Sequence, residues 1–255
     1  MKEKRGVVIK LSVNVNKIAL LRNSRETSVP SVVEFSRLAL EAGAHGITVH
    51  PRPDLRHITP EDVYQIADLM KQYPDAEFNI EGNPFEPPNE AYPGYLKLVS
   101  DCLPDQATLV PDSTNQKTSD HGWDFDADEH RLRPTIEEIH VCGVRSSVFV
   151  DPLEAAIQGA NRVGANRIEL YTESYAKACV QGQAEQSFDG FNHCAKLAHS
   201  LGLGINAGHD LNQDNLLLFA SLSYLEEVSI GHALVVDALY SGFEQTVKSY
   251  LDALM

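Results

Sequence analysis

The sequence predicts an α/β protein folded as a (β/α)8 barrel with additional helices, and three observations carry that reading. Eight short runs suited to buried strands recur along the chain, the intervals between them carry helical periodicity, and no low-complexity linker interrupts the alternation. At 255 residues the chain could hold two small domains, but it also has the length of one barrel, which we take as a single domain over residues 1–255.

The first run is 7–13 (VVIKLSV), followed by 46–49 (GITV), 77–80 (EFNI) and 108–110 (TLV). The second half adds 146–150 (SSVFV), 167–170 (RIEL), 204–206 (GIN) and 227–230 (EVSI). Between the first two runs, Val32, Phe35, Leu38, Ala39 and Ala42 keep the three-to-four spacing of a helix that ends at Gly43. Thr59 and Pro60 form an N-cap and first-position pair for the next helix, with Val63, Ile66 and Leu69/Met70 on one face. Asp151 and Pro152 are expected to repeat that device. Residues 82–94 (GNPFEPPNEAYPG) hold four prolines and read as a long surface loop. The interval 111–143 is long enough to include an additional helix beyond its loop.

Net charge is −15, which argues against nucleic acid or an anionic membrane as partner. The balance is uneven, because residues 1–60 hold 10 Lys/Arg against 5 Asp/Glu. Apolar runs fall far short of a membrane span and the N-terminus has no secretory pattern, so a cytoplasmic protein is expected. Cys102, Cys142, Cys179 and Cys194 are widely spaced without a CxxC, and are expected to be buried, reduced thiols.

Barrels of this kind carry their chemistry at the C-terminal ends of the strands. Those ends supply Asn14 and Asn16-Lys17, His50, Glu81, the loop VPDSTNQKTSD, Asp151, and Glu169 with Tyr171-Thr172-Glu173. They end with His209 in NAGHD and Gly231-His232 in SIGHA. Each residue alone has an ordinary structural explanation, and His45, His193 and His199 are read as structural or exposed. Two histidines and two glutamates at the rim of one barrel together point to acid–base chemistry. No HxH or HExxH occurs and arginines stand nearby, so no metal site is expected. Phosphate is the better-supported ligand: NAGHD and SIGHA follow strands seven and eight, where barrels bind it with backbone amides. A second anion site is expected from Arg52, Arg56 and His57, joined by Arg22 and Arg25.

The stretches VNVNKIALLRNSR (13–25), GITVHPRPDLRHI (46–58), FNIEG (78–82), TLVPD (108–112), RIELYTESYA (167–176) and GINAGHDLN…VSIGHALV (204–235) carry a family resemblance. They resemble the pyridoxine 5′-phosphate synthases of vitamin B6 biosynthesis, in order and over nearly the whole chain. The resemblance implies a TIM barrel with extra helices, a homo-octamer, and no metal or organic cofactor. It implies condensation of 3-amino-2-oxopropyl phosphate with 1-deoxy-D-xylulose 5-phosphate to pyridoxine 5′-phosphate, phosphate and water. By the match, His50 and Glu81 correspond to general bases, His209 to the general acid, and Glu169 to a transition-state-stabilising carboxylate. Asn14, Arg25, Asp210, Gly231 and His232 correspond to residues binding the amino-ketone phosphate. Asn16, Lys17, Arg52, His57 and Thr118 correspond to those binding deoxyxylulose phosphate.

Four positions depart from the family pattern. Asn16-Lys17 stand where Asp-His is usual, Asp112-Ser113-Thr114 where Glu-Lys-Arg is usual, and Glu26 and Asp210 where glycine is common. Residues 82–94 resemble an insertion. Two other readings compete: another phosphate-handling barrel such as an aldolase or epimerase, and a ligand-sensing paralogue without catalysis. A Schiff-base aldolase would need a strand-end lysine, for which Lys17 and Lys10 are the candidates.

Overall fold

The computed structural model describes residues 8–25 and 27–255. Val7, at the start of the first expected strand, and Glu26 lie outside them. Eight parallel strands close into a barrel in chain order, the first hydrogen-bonded to the last. They are β1 (Lys10–Asn14), β2 (Gly46–Val49), β3 (Glu77–Gly82), β4 (Gln106–Leu109), β5 (Arg145–Val150), β6 (Arg167–Tyr171), β7 (Gly204–Gly208) and β8 (Leu225–Ile230).

Helices α1 (Asn16–Asn23), α7 (Glu173–Val180) and α10 (His232–Ser241) begin directly beyond β1, β6 and β8 and are additional to the barrel's outer ring. The ring itself consists of α2 (Val32–Glu41), α3 (Pro60–Met70), α4 (Tyr95–Cys102) and α5 (Phe125–Val141), then α6 (Glu154–Arg162), α8 (Ala184–Ser200), α9 (Gln213–Phe219) and α11 (Phe243–Ala253). The last of these packs against α2 and α9, which completes the ring.

Strand residues alternate strictly between two environments. Leu11, Val13, Ile47, Val49, Ile80 and Leu109 face the helices and are fully buried. The inward positions are mostly polar, with Phe149 of β5 an apolar exception towards the cavity. Ser12 and Thr48 hydroxyls lie 2.7 Å apart, Thr108 donates to Asn79 at 2.9 Å, and Asn206 donates to Gln106 at 3.2 Å. The last bond joins β7 to β4, which are not neighbours, so it runs through the barrel interior. Parallel strands usually read as continuous apolar runs because both faces are covered by hydrocarbon. Here the inner face is covered by hydrogen bonds instead, which explains the period of two in the sequence.

Several expected boundaries move. β4 starts at Gln106, because this polar side chain belongs to the interior network. β7 extends to Gly208, which brings His209 to the strand's very end. Thr59 caps α3 as expected, its side chain accepting from Asp62 N while Asp62 accepts from Thr59 N at 2.8 Å. Asp151 and Pro152, however, do not open α6. That helix starts at Glu154 after Leu153, and the Asp151 carboxylate instead accepts from Gly122 N at 3.1 Å, tying down the loop after β4. Within 111–143 there is one helix, α5, and it belongs to the outer ring rather than being extra. Residues 82–94 form the expected loop, with one isolated bridge between Asn89 and Tyr92. Of the four unpaired cysteines, Cys194 is buried and the other three are half-buried. No helix among the described residues is long and apolar enough to cross a membrane.

Gly159 of α6 sits against the first residue of α5, where an added Cβ would lie 2.3 Å from the Phe125 ring. Gly159→Ala should therefore overpack this contact and destabilise the fold by about 2 kcal/mol. Chemical denaturation reads this directly, and an unchanged midpoint would show that α5 and α6 part at no cost.

Candidate active site

The C-terminal ends of the strands enclose a cavity of about 550 Å3, a size suited to small-molecule ligands. From β1 and α1 come Asn14, Asn16 and Lys17; from the β2 end come His50, Arg52 and His57. Glu81, Thr118 and Glu169 line the far wall, and His209, Asp210, Gly231 and His232 complete the rim. Of the expected site residues only Arg25 is missing: it is exposed in the turn after α1 and does not line the cavity.

Local structure explains how each group is held. The backbone N–H of His50 donates to Asn16 Oδ1 at 2.9 Å, and Asn16 N donates to Asn14 Oδ1 at 3.0 Å. This pins the start of α1 to the end of β2. The buried His50 ring lies between two carboxylates, with Nδ1 3.6 Å from Glu81 Oε2 and Nε2 3.4 Å from Asp112 Oδ2. Burial opposes its protonation, but the charges and hydrogen bonds of Asp112 and Glu81 prevail and raise its pKa to about 9. His50 is thus an imidazolium at neutral pH.

His57 behaves oppositely. Burial first, then His50, Arg52, Lys17 and Arg56, push its pKa down to about 3. Its Nδ1 accepts from Ile58 N at 3.0 Å, which places the proton of the neutral ring on Nε2. Glu169 is fully enclosed; burial, then Glu81 and Glu227, hold its carboxyl well above the usual range. A Cβ on Gly208 would meet Glu169 Oε1 at 2.3 Å, so β7 needs glycine beside this group.

His209 and Asp210 both adopt left-handed backbone, with φ of 82° and 61°. Such non-glycine geometry is costly and is found where neighbours over-determine it. Here Thr172 Oγ1 donates to the carbonyl oxygens of Gly208 and His209, and Asn215 Nδ2 donates to that of Asp210 at 3.1 Å. The resulting turn aims His209 Nε2 at Thr118 Oγ1, 3.0 Å away, and sets Nδ1 3.1 Å from Asp210 Oδ2. The close approach of His209, whose Nδ1 has no hydrogen-bond partner among the described residues, keeps the Asp210 carboxyl below its ordinary value, so it is ionised and repels phosphate. Only the backbone of Asp210 can serve an anion.

The expected arginine cluster assembles differently. Arg22 is taken up by Asp62, donating from Nη2 to Oδ2 at 2.9 Å, and so buttresses the α3 cap. Arg52 pairs with Asp112 at 2.7 Å and Arg56 with Asp54 at 2.5 Å. Both also donate to carbonyl oxygens of the loop after β4, Arg52 to Ser113 and Gln116, Arg56 to Thr114 and Gln116. They stitch residues 113–116 to the loop after β2, just ahead of Lys117, Thr118 and Ser119 in the cavity wall. Lys17 makes no ion pair among the described residues and is half-buried in the cavity wall. Lys117 and Ser119, which belong to the loop VPDSTNQKTSD but were not singled out in it, and Phe149, which sequence reasoning missed, also line the cavity. The inward parity of Phe149 in β5 would have found the last of these.

A family model described as "Pyridoxal phosphate biosynthesis protein PdxJ" matches residues 11–255. The chain belongs to the PdxJ family. It is 55% identical over 242 residues to the pyridoxine 5′-phosphate synthase of Xanthomonas campestris pv. campestris (strain B100), covering 94% of each chain. It is 53% identical over 244 residues to the synthase of that name from Albidiferax ferrireducens, covering 95% of this chain and 96% of that one. Solved structures share the fold at low identity. The tryptophan synthase alpha chain of Legionella pneumophila has a TM-score of 0.61 at 12% identity, over 98% of this chain and 92% of that one. Phosphoribosyl anthranilate isomerase of Thermus thermophilus gives 0.56 at 14%, over 96% and 98%.

The departures from the PdxJ pattern now have places. Asn16 fixes His50, Lys17 lines the cavity without an ion-pair partner among the described residues, and Asp112 anchors Arg52 and faces His50. Glu169 provides a test of this electrostatic arrangement. Its raised pKa means that folding favours its protonated form; that contribution is complete below the ordinary carboxylate pKa and is lost as pH rises through the raised value. Glu169→Gln removes the titration. Wild type should therefore lose stability relative to E169Q as pH rises from about 4 through neutrality. Parallel stability curves would show Glu169 to be an ordinary carboxylate.

Proposed function

We propose that this chain is an enzyme, a pyridoxine 5′-phosphate synthase, joining 3-amino-2-oxopropyl phosphate and 1-deoxy-D-xylulose 5-phosphate. One observation carries the reading beyond family membership: a single cavity gathers four acid–base groups and two helix N-termini. Helices α1 and α10 both start at the cavity, with Asn16-Lys17 and His232 in their first turns. Such N-termini favour anions through free amides and the helix dipole. Two sites of this type suit two phosphorylated substrates. Asn14, Gly231, His232 and the Asp210 backbone take the amino-ketone phosphate; Asn16, Lys17, Arg52, His57 and Thr118 take deoxyxylulose phosphate. Arg25, outside the cavity, has no part in this assignment.

Ring closure requires repeated proton transfers. Because His50 starts protonated, it acts first as an acid and becomes a base once it has given up that proton, and the adjacent Glu81 is the second base. Held neutral by burial, Glu169 can donate a hydrogen bond to a developing oxyanion without adding repulsion, and His209 supplies a second acid at the rim. No metal or organic cofactor enters this scheme. The enzyme is proposed to act in the cytoplasm as a homo-octamer. Exposed apolar side chains on adjacent helices, Leu20 and Leu21 of α1 with Leu239 and Tyr240 of α10, support such assembly.

Turnover with both substrates present, and none with either alone, tests the reaction. His50→Ala and His209→Ala should each lower turnover about a hundredfold or more, the scale for losing a positioned acid or base. Near-normal turnover in either would remove that residue from the mechanism.

Lys17 has a separate expected effect. Lysine stays charged across neutral pH, whereas a histidine in its place would titrate near 6–7. Lys17→Ala should raise KM for deoxyxylulose phosphate about tenfold, or about 1.4 kcal/mol. Affinity in the wild type should also vary less between about pH 6 and 8 than in a histidine-bearing relative. An unchanged KM would mean that Lys17 is not the phosphate ligand.

A further inference from the structure

Asp112 is buried in the loop after β4 yet does not line the main cavity. A single oxygen of its carboxylate serves three partners. Oδ2 accepts from Arg52 Nη1 at 2.7 Å and from Ser119 Oγ at 3.3 Å, and it lies 3.4 Å from His50 Nε2. Its backbone carbonyl accepts from Asn83 Nδ2 at 2.8 Å, fixing the residue against the loop after β3. The carboxylate therefore stands behind two cavity-lining side chains and meets both.

We infer that Asp112 is a positioning residue for the proposed condensation: it holds the Nε2 edge of His50 and the Arg52 guanidinium together, so that His50 exchanges protons through Nδ1. The inference rests on the functional reading above. A histidine's reactive nitrogen is set by the partner of the other one. With Nε2–H held towards an anion, the labile proton is the one on Nδ1. It passes to Glu81 or to a substrate atom beside it and returns by the same route, while the Nε2 proton stays in place.

The groups around His50 show why this carboxylate matters. Glu81 faces it from β3 and Asp112 from the loop after β4; Arg52 and His57 stand in its own loop, and Lys17 on α1. Burial and the cations oppose protonation of His50, and two carboxylates overcome them. Without the charge of Asp112, Glu81 would face that opposition alone. Removing it also frees Arg52, which then keeps only carbonyl partners on the loop above.

Asp112→Asn keeps the shape and removes the charge. In D112N, the His50 ring titration followed by NMR should move down by at least one pH unit, with its signals assigned by comparison with His50→Ala. The alkaline limb of kcat/KM should shift to lower pH in step, and kcat should fall at least tenfold. Asp112→Glu, which keeps the charge, should recover most of kcat. An unmoved His50 titration in D112N, or a D112E no better than D112N, would overturn the inference. Should D112N not fold, the wild type decides: His50 still protonated at about pH 8 with a hydrogen-bonded Nε2 proton supports it, and a neutral ring at pH 7 overturns it. The titration needs no turnover, so an inactive wild type would refute the functional reading while leaving this test intact.

Discussion

Parallel pairing of β1 with β8 closes the sheet, and closure removes solvent from the inward side chains at the barrel's middle. An open sheet could leave Ser12, Thr48, Asn79 or Gln106 to water. A closed one must pair them with each other or leave them unsatisfied at a cost of about 1–3 kcal/mol each. The interior answers with a hydrogen-bonded layer that crosses the barrel from Gln106 to Asn206, with Ser147 Oγ left unpartnered. The same enclosure governs the carboxylates above and below that layer. Burial, then Glu77, lifts Glu227 to about 7 even though Arg167, Arg145 and Lys10 oppose the rise. Burial, then the nearby carboxylates Glu81 and Glu227, likewise hold Glu169 well above the ordinary range.

The rim distributes its charges economically. The arginines nearest the cavity are committed to carboxylates and loop carbonyls, so they shape the site more than they fill it. Lys17, by contrast, makes no ion pair among the described residues and stands in the cavity wall beside the start of α1. Helices α1 and α10 exist because the chain turns into helix immediately after β1 and β8, instead of first running out to the ring. The starts of α1 and α10 thus line the cavity.

Two neighbouring residues at the end of β7 illustrate the cost of placing a side chain. His209 and Asp210 keep left-handed backbone only because Thr172 and Asn215 hold the carbonyl oxygens on either side of the turn. The gain is a histidine that reaches Thr118 across the cavity, from a loop ninety-one residues away in sequence. The Asp210 carboxylate faces the ring of the histidine beside it, 3.1 Å from Nδ1.

The local grammar of this protein was legible in its sequence. Short runs suited to buried strands, recurring between helical stretches, marked the strands, Thr59-Pro60 marked the start of α3, and strand ends marked where His50, Glu81, Glu169 and His209 would meet. These features depend on neighbours a few residues apart, so a linear reading contains them. Partner choice does not. Asp112 lies sixty residues from Arg52 and Arg22 forty from Asp62, and Asp151 abandons a helix cap for Gly122 across a loop. The protonation of His50, His57 and Glu169 follows from such pairings and from burial. Only closure of the barrel decides them, because an ionisable group responds to the charges around it in space and to the loss of water.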